Sequence, residues 1–190
     1  MALALCQLGH SVELADPKSD AELKARSRAY AITHSSRRLL EKLNVWTELL
    51  PALVPFRELD LSDAAVERRV LFSLQDLDPS SQVHGAIGWI LDHRPLMEVL
   101  LHRLRSERKV QLHLGSPPPG PDDNALVIAA DGPASRARQA WGIRTWLHRY
   151  RQGCLTAKVA LRGVASGKAY ELFRPEGPLA VLPLSDGCFQ

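Results

Sequence analysis

A chain of 190 residues, 45% apolar and 24% charged, is long enough for one sizeable core or two small ones. Its net charge of +3, from 24 basic and 21 acidic residues, argues against a dedicated nucleic-acid binder. The three cysteines, Cys6, Cys154 and Cys188, form no CxxC pair and the seven histidines show no HExxH-type spacing, which argues against a disulfide framework and against a metal site.

In chain order, Ala2 to Leu8 is a run of helix formers with Gly9 placed to end it, and it lacks the basic flank of a signal peptide. Val12 and Leu14 alternate as in a short strand that stops at Asp16. A helix follows around Ser36 to Leu43, then a shorter one over Trp46 to Leu50, stopped by Pro51. Leu59 and Leu61, then Val70, Phe72 and Leu74, predict two antiparallel strands joined by Ser62 to Arg69. Ile87, Trp89 and Leu91 alternate again. Asp92 caps a helix with Pro95 in its first turn and Leu96, Val99, Leu100 and Leu104 on its buried side. Val110 to Leu114 is a strand, Ser116 to Asn124 a loop, and Ala125 to Ala130 an apolar run of the kind buried in a parallel sheet. A helix starts near Ser135 and ends near Gly142. The rest is strand-like: Leu155 to Leu161, Ala169 to Phe173, and Leu179 to Leu184.

The fold class expected is mixed α/β: a partial Rossmann-like nucleotide-binding layer (1–53 and 91–148) interleaved with an antiparallel-sheet domain (54–90 and 149–190). No apolar run approaches the roughly 20 residues that cross a bilayer, so a cytoplasmic location is expected.

Four constellations carry chemistry. Helix, Gly9, strand and Asp16 are ordered as in a dinucleotide-binding unit, where an acid at the end of the second strand binds a ribose; the plain alternative is a turn residue. Arg26 and Arg28 precede a helix and suit a pyrophosphate, or are a solvated loop. Arg94 lies in the first turn of a helix, where a cation is mildly unfavourable and so suggests an anionic neighbour. Asp131 and Gly132 follow the apolar run, at the strand end where an open α/β sheet binds ligands; the alternative is a turn before a Ser-capped helix.

The stretches LALCQLGHSVELAD, RAYAITHSSRRLLEKLNVW, DHRPLMEVLLHRL, LVIAADGPASRAR and AYELFRPEGPLAVLPL occur in this order along nearly the whole chain. In that order they resemble the FAD-dependent hydroxylases of ubiquinone biosynthesis, within the para-hydroxybenzoate hydroxylase-like flavoprotein monooxygenases. The resemblance implies that Asp16 binds the adenosine ribose of FAD, that Arg28 contacts the cofactor and that Arg94 lies near its pyrophosphate. It makes Asp131 and Gly132 the Asp-Gly motif that serves FAD and the passing NAD(P)H. The implied reaction uses NAD(P)H and O₂ to hydroxylate a hydrophobic aromatic substrate, a prenylated phenol fitting the family. The cofactor carries the chemistry, so no catalytic side chain is assigned. Such a substrate is compatible with peripheral membrane or multi-enzyme association, although no basic amphipathic helix argues for it.

The sequence departs from that family in two places. The GxGxxG turn would lie before Met1, and the distal Gly-Asp motif beyond Gln190. The expectation is an incomplete fragment that alone binds FAD poorly. The alternative is a non-catalytic remnant or interaction module that keeps the fold's outline without flavin. Nucleic-acid binding through Arg144 to Arg151 (RTWLHRYR) is disfavoured by the low net charge.

Overall fold

The computed structural model describes residues 1–117 and 126–190. α1 (Ala2–Gln7) ends where Gly9 takes φ +98°, a left-handed value that glycine adopts at little cost. The chain reverses into β1 (Val12–Asp16), which pairs in parallel with β7 (Val110–Leu114) in the register Val12↔Val110 to Asp16↔Leu114. After β1 comes α2 (Asp20–Lys24), started by a capping box in which the Ser19 hydroxyl and the Glu22 carboxylate each accept the other's backbone N–H. A helix of one turn has too little periodicity to be read from sequence, and none is predicted there.

The core is built around a three-stranded antiparallel sheet in the order β2 (Ala29–Ile32), β6 (Gly88–Asp92), β3 (Leu53–Phe56). Alternation at Ile87, Trp89 and Leu91 predicts a strand with one buried face. Instead, Trp89, Ile90 and Leu91 are all buried, because β6 is central and both of its faces are covered. Trp89 and Leu91 face Ile32, Val45, Leu49 and Leu53, with helix residues Leu96, Val99 and Leu100 packed over them. Ile90 faces Ala29, Phe56 and Ala169. A Cβ at Gly88 would meet the Ile32 carbonyl oxygen at 2.9 Å, so glycine permits the close strand approach. β3 carries Pro55, which an edge strand tolerates.

Helices α3 (His34–Lys42, capped by Thr33) and α4 (Trp46–Leu49, continued as a 3-10 turn to Ala52) close one side of this sheet. A short α5 (Pro79–Gln82) precedes β6. α6 (His93–Ser106) begins as expected at Asp92, whose carboxylate accepts the His93 N–H at 2.7 Å.

The second sheet has four strands. The expected hairpin of β4 (Glu58–Asp63) and β5 (Arg68–Ser73) is present. β4 also pairs in parallel with β9 (Lys168–Phe173), which pairs with β10 (Leu179–Val181). Asp60 on β4 is buried under a two-pronged contact from Arg69 (2.8 and 2.6 Å) and a third from Lys168 (2.9 Å). These cations hold its carboxyl well below the usual carboxylate range.

The strand expected over Ala125–Ala130 is corrected. Ala125 and most of the expected 116–124 loop lie outside the described residues, and 126–130 forms no strand. Leu126 is 87% exposed and Val127 51%, so the run is not buried. An extended segment becomes a strand only when another backbone takes up its N–H and C=O groups, and none of the described residues does so. α7 (Arg136–Ala140) follows, capped by Ser135 as expected. The strand expected over Leu155–Leu161 shrinks to β8 (Val159–Ala160), paired with β11 (Cys188–Phe189). No helix among the described residues is long and apolar enough to cross a membrane.

Candidate cofactor site

The β2–β6 ladder brings two of the expected site residues together. Ala29 pairs with Asp92, and the His93 N–H donates to the Arg28 carbonyl at 2.8 Å, one step beyond the strands. Arg94 is the next residue, in the first turn of α6. The Arg28 guanidinium lies 5.8 Å from the centre of the Tyr30 ring, a cation–π contact. Among the described residues no carboxylate pairs with Arg28. Arg94 does have its anionic neighbour: Nε lies 3.1 Å from Glu98 Oε1. The Arg94 side chain is 72% exposed, so that pair adds no more than a few tenths of a kcal/mol. The cation in the first turn is thus answered by an ordinary pair one turn along the helix.

Asp16 stands elsewhere, at the end of β1. Its Oδ1 accepts the Lys18 N–H at 2.8 Å and its carbonyl accepts the Gly115 N–H at 3.0 Å, so it also builds the turn out of the β1–β7 sheet. Asp131 and Gly132 sit on the exposed segment. Asp131 Oδ2 accepts the Ala137 N–H at 3.1 Å. Hydrogen bonds from Ser135 and from that amide lower its pKa. Gly132 has φ +84°, the value a tight turn demands. Each of these residues already has a structural task. No hydrogen bond or ion pair among the described residues joins Asp16, the Arg28–Arg94 pair and the Asp131–Gly132 turn.

The sequence reading passed over three residues at this place. Tyr30 lies under Arg28 and bonds His93, at 2.8 Å from hydroxyl to Nδ1. His93 Nε2 reaches the Leu23 carbonyl at 2.6 Å. Lys158 reaches Asp92 Oδ2 at 2.5 Å, tying the C-terminal half to the start of α6. Tyr30 and His93 could have been found from their adjacency to Arg28 and Arg94 in RAY and DHR, whereas nothing near Lys158 in the sequence signals its contact with Asp92.

An arginine beside a ring, with no carboxylate paired to it among the described residues, can take a phosphate, and a carboxylate at a strand end, such as Asp16, can take a ribose hydroxyl. Among the described residues nothing comparable encloses a flavin ring. An open depression of ≈ 330 Å³ lies over Arg57, Glu58, Ser166 and Lys168 on the four-stranded sheet, and none of the five site residues lines it.

Among known proteins, no family model matches the chain. The 3-demethoxyubiquinol 3-hydroxylase of Escherichia coli (strain K12) is 28% identical over 211 residues, covering 98% of this chain and 51% of that protein. PqsL of Pseudomonas aeruginosa, solved with 2-aminobenzoylacetate, superposes with a TM-score of 0.78 at 16% identity, over 99% of this chain and 55% of that one. HpxO of Klebsiella pneumoniae, solved with FAD and uric acid, does so with a TM-score of 0.67 at 20% identity, over 99% of this chain and 51% of that one. The chain spans about half the length of the curated relatives it matches. Its relatives by sequence thus include hydroxylases of ubiquinone biosynthesis, and it shares its fold with a probable FAD-dependent monooxygenase and with a protein solved with FAD.

Proposed function

We propose that this chain is part of an FAD-dependent aromatic-ring monooxygenase that uses NAD(P)H and O₂ on a hydrophobic phenolic or quinol substrate of the ubiquinone type. The observation that carries it is the match to the Escherichia coli hydroxylase along almost the entire chain, in a fold shared with an enzyme solved with FAD. In this reading 1–53 and 91–148 belong to the cofactor-binding part, and 54–90 and 149–190 to the substrate-binding part. When bound, FAD supplies the redox chemistry by which oxygen is activated. This chain's residues hold it: Arg28 and Arg94 take the diphosphate, Asp16 the adenosine ribose, and Asp131 a ribityl or ribose hydroxyl beside the Gly132 backbone. The four-stranded sheet covers the substrate. A cytoplasmic enzyme, peripheral to the membrane or in a multi-enzyme assembly, fits a substrate with a lipid tail.

A second reading, a remnant or interaction module without flavin, is favoured by the exposure of Leu126 to Ile128. Titration of FAD with the purified chain separates the two, read by quenching of flavin fluorescence. Because no hydrogen bond or ion pair among the described residues joins the three parts of the site, the monooxygenase reading expects saturable quenching in the micromolar range or weaker. It also expects a loss on the order of tenfold in Arg28→Ala, the size of one charge-assisted contact. A chain purified with stoichiometric yellow flavin contradicts the expected weak binding. Absence of quenching selects the second reading.

A further inference from the structure

We propose that His93 is a positioning residue for Arg28, a role that rests on the cofactor reading above. Its side chain is buried, and both ring nitrogens are engaged. Nε2 lies 2.6 Å from the Leu23 carbonyl oxygen. A carbonyl only accepts, so Nε2 carries the proton. Nδ1 is then the acceptor, and the Tyr30 hydroxyl 2.8 Å away donates to it. A single neutral tautomer satisfies both partners.

The two partners lie on either side of the arginine loop. Leu23 is in the last turn of α2, where carbonyls have no helical partner, and residues 25–28 run from that turn into β2. Tyr30 is in β2, with the Arg28 guanidinium 5.8 Å from its ring. The His93 backbone N–H holds the Arg28 carbonyl. One residue therefore fixes the start of the loop through Leu23, its end through the Arg28 backbone, and the surface under the guanidinium through Tyr30. Arg28 presents itself to an anion from a frame that His93 determines.

Two substitutions divide this role. His93→Gln carries an amide far enough to reach the Leu23 carbonyl, whereas Tyr30→Phe removes only the hydroxyl and keeps the ring. His93→Ala removes both ties. Trypsin cutting after Arg26 and Arg28 reports the loop, and FAD fluorescence quenching reports Arg28. His93→Ala is expected to raise cutting at both sites on the order of tenfold, the loss of about one net hydrogen bond. Tyr30→Phe and His93→Gln are expected to keep the wild-type cutting rate and melting temperature yet bind FAD several-fold more weakly. A merely structural histidine would move melting, cutting and binding together.

Equal cutting of His93→Ala and the wild type overturns the proposal. So does unchanged FAD affinity in both milder variants. A wild type that binds no FAD overturns the cofactor reading instead, and the trypsin comparison, which needs no flavin, still decides the tie through Leu23.

Discussion

Two apolar runs of the same chain meet opposite fates. Trp89, Ile90 and Leu91 are buried between β2 and β3 and under two layers of side chains. Leu126, Val127 and Ile128 have similar side chains and lie exposed. Intrinsic preference does not separate them; the first run has partners for its backbone on both edges, and the second has none among the described residues. Apolar β-type sequence states what a segment needs, and topology decides whether it is supplied.

The comparison is broken most readily at its centre. Ile90→Ala opens a cavity against Ala29, Phe56 and Ala169 and is expected to cost about 3 kcal/mol in urea unfolding. Val127→Ala, which removes similar atoms from an exposed site, is expected to cost under about 0.5 kcal/mol. Similar costs at both would mean that 126–130 is packed in solution.

Asp60 gives the next largest effect. Asp60→Asn keeps the shape but removes the charge facing Arg69 and Lys168, and is expected to destabilise by about 2 kcal/mol. The folded-state pKa of Asp60 lies below its unfolded value. Its contribution is therefore complete above the unfolded value and declines as pH falls below about 4. The wild type should lose stability faster than Asp60→Asn between about pH 4 and pH 2, read from urea midpoints. Parallel curves would remove the ion cluster from the account.

Helix caps give the smallest effect and the finest comparison. Thr33 accepts the Ser36 N–H at 3.3 Å in the packed region, and Ser135 accepts the Arg138 N–H at 3.0 Å in the exposed one. Thr33→Ala is expected to cost about 1 kcal/mol. Ser135→Ala should leave the main unfolding transition unmoved, because a segment with few buried contacts opens independently of it. A shift from Ser135→Ala would show that α7 unfolds with the core.

Much of the fold was legible where local signals were long or redundant. α6 is announced by its Asp92 cap, Pro95 and apolar stripe, and the β4–β5 hairpin by its alternation. β2 and β3, at four residues each, carry too little pattern to stand out, and the Pro in β3 argues against a strand until its edge position is known. The run at 126–130 was misread because its composition reports burial that partners must provide. For the site, Arg28 and Arg94 were legible as residue types. The residues that hold Arg28 were not, because His93 joins it through Tyr30, 63 positions away, and Leu23, 70 away. No spacing rule connects such pairs before the strands are paired.

The central claim is that three separated positions form one dinucleotide site spanning the packed and the exposed regions. Amide hydrogen exchange with and without saturating FAD tests it most directly. The account predicts slowed exchange at Asp16 to Lys18, at Arg28 to Tyr30 and at Gly132 to Arg138 together, with the largest gain in the exposed segment, which begins with the least protection. Slowing at none of these three, or slowing confined to other residues, would contradict it.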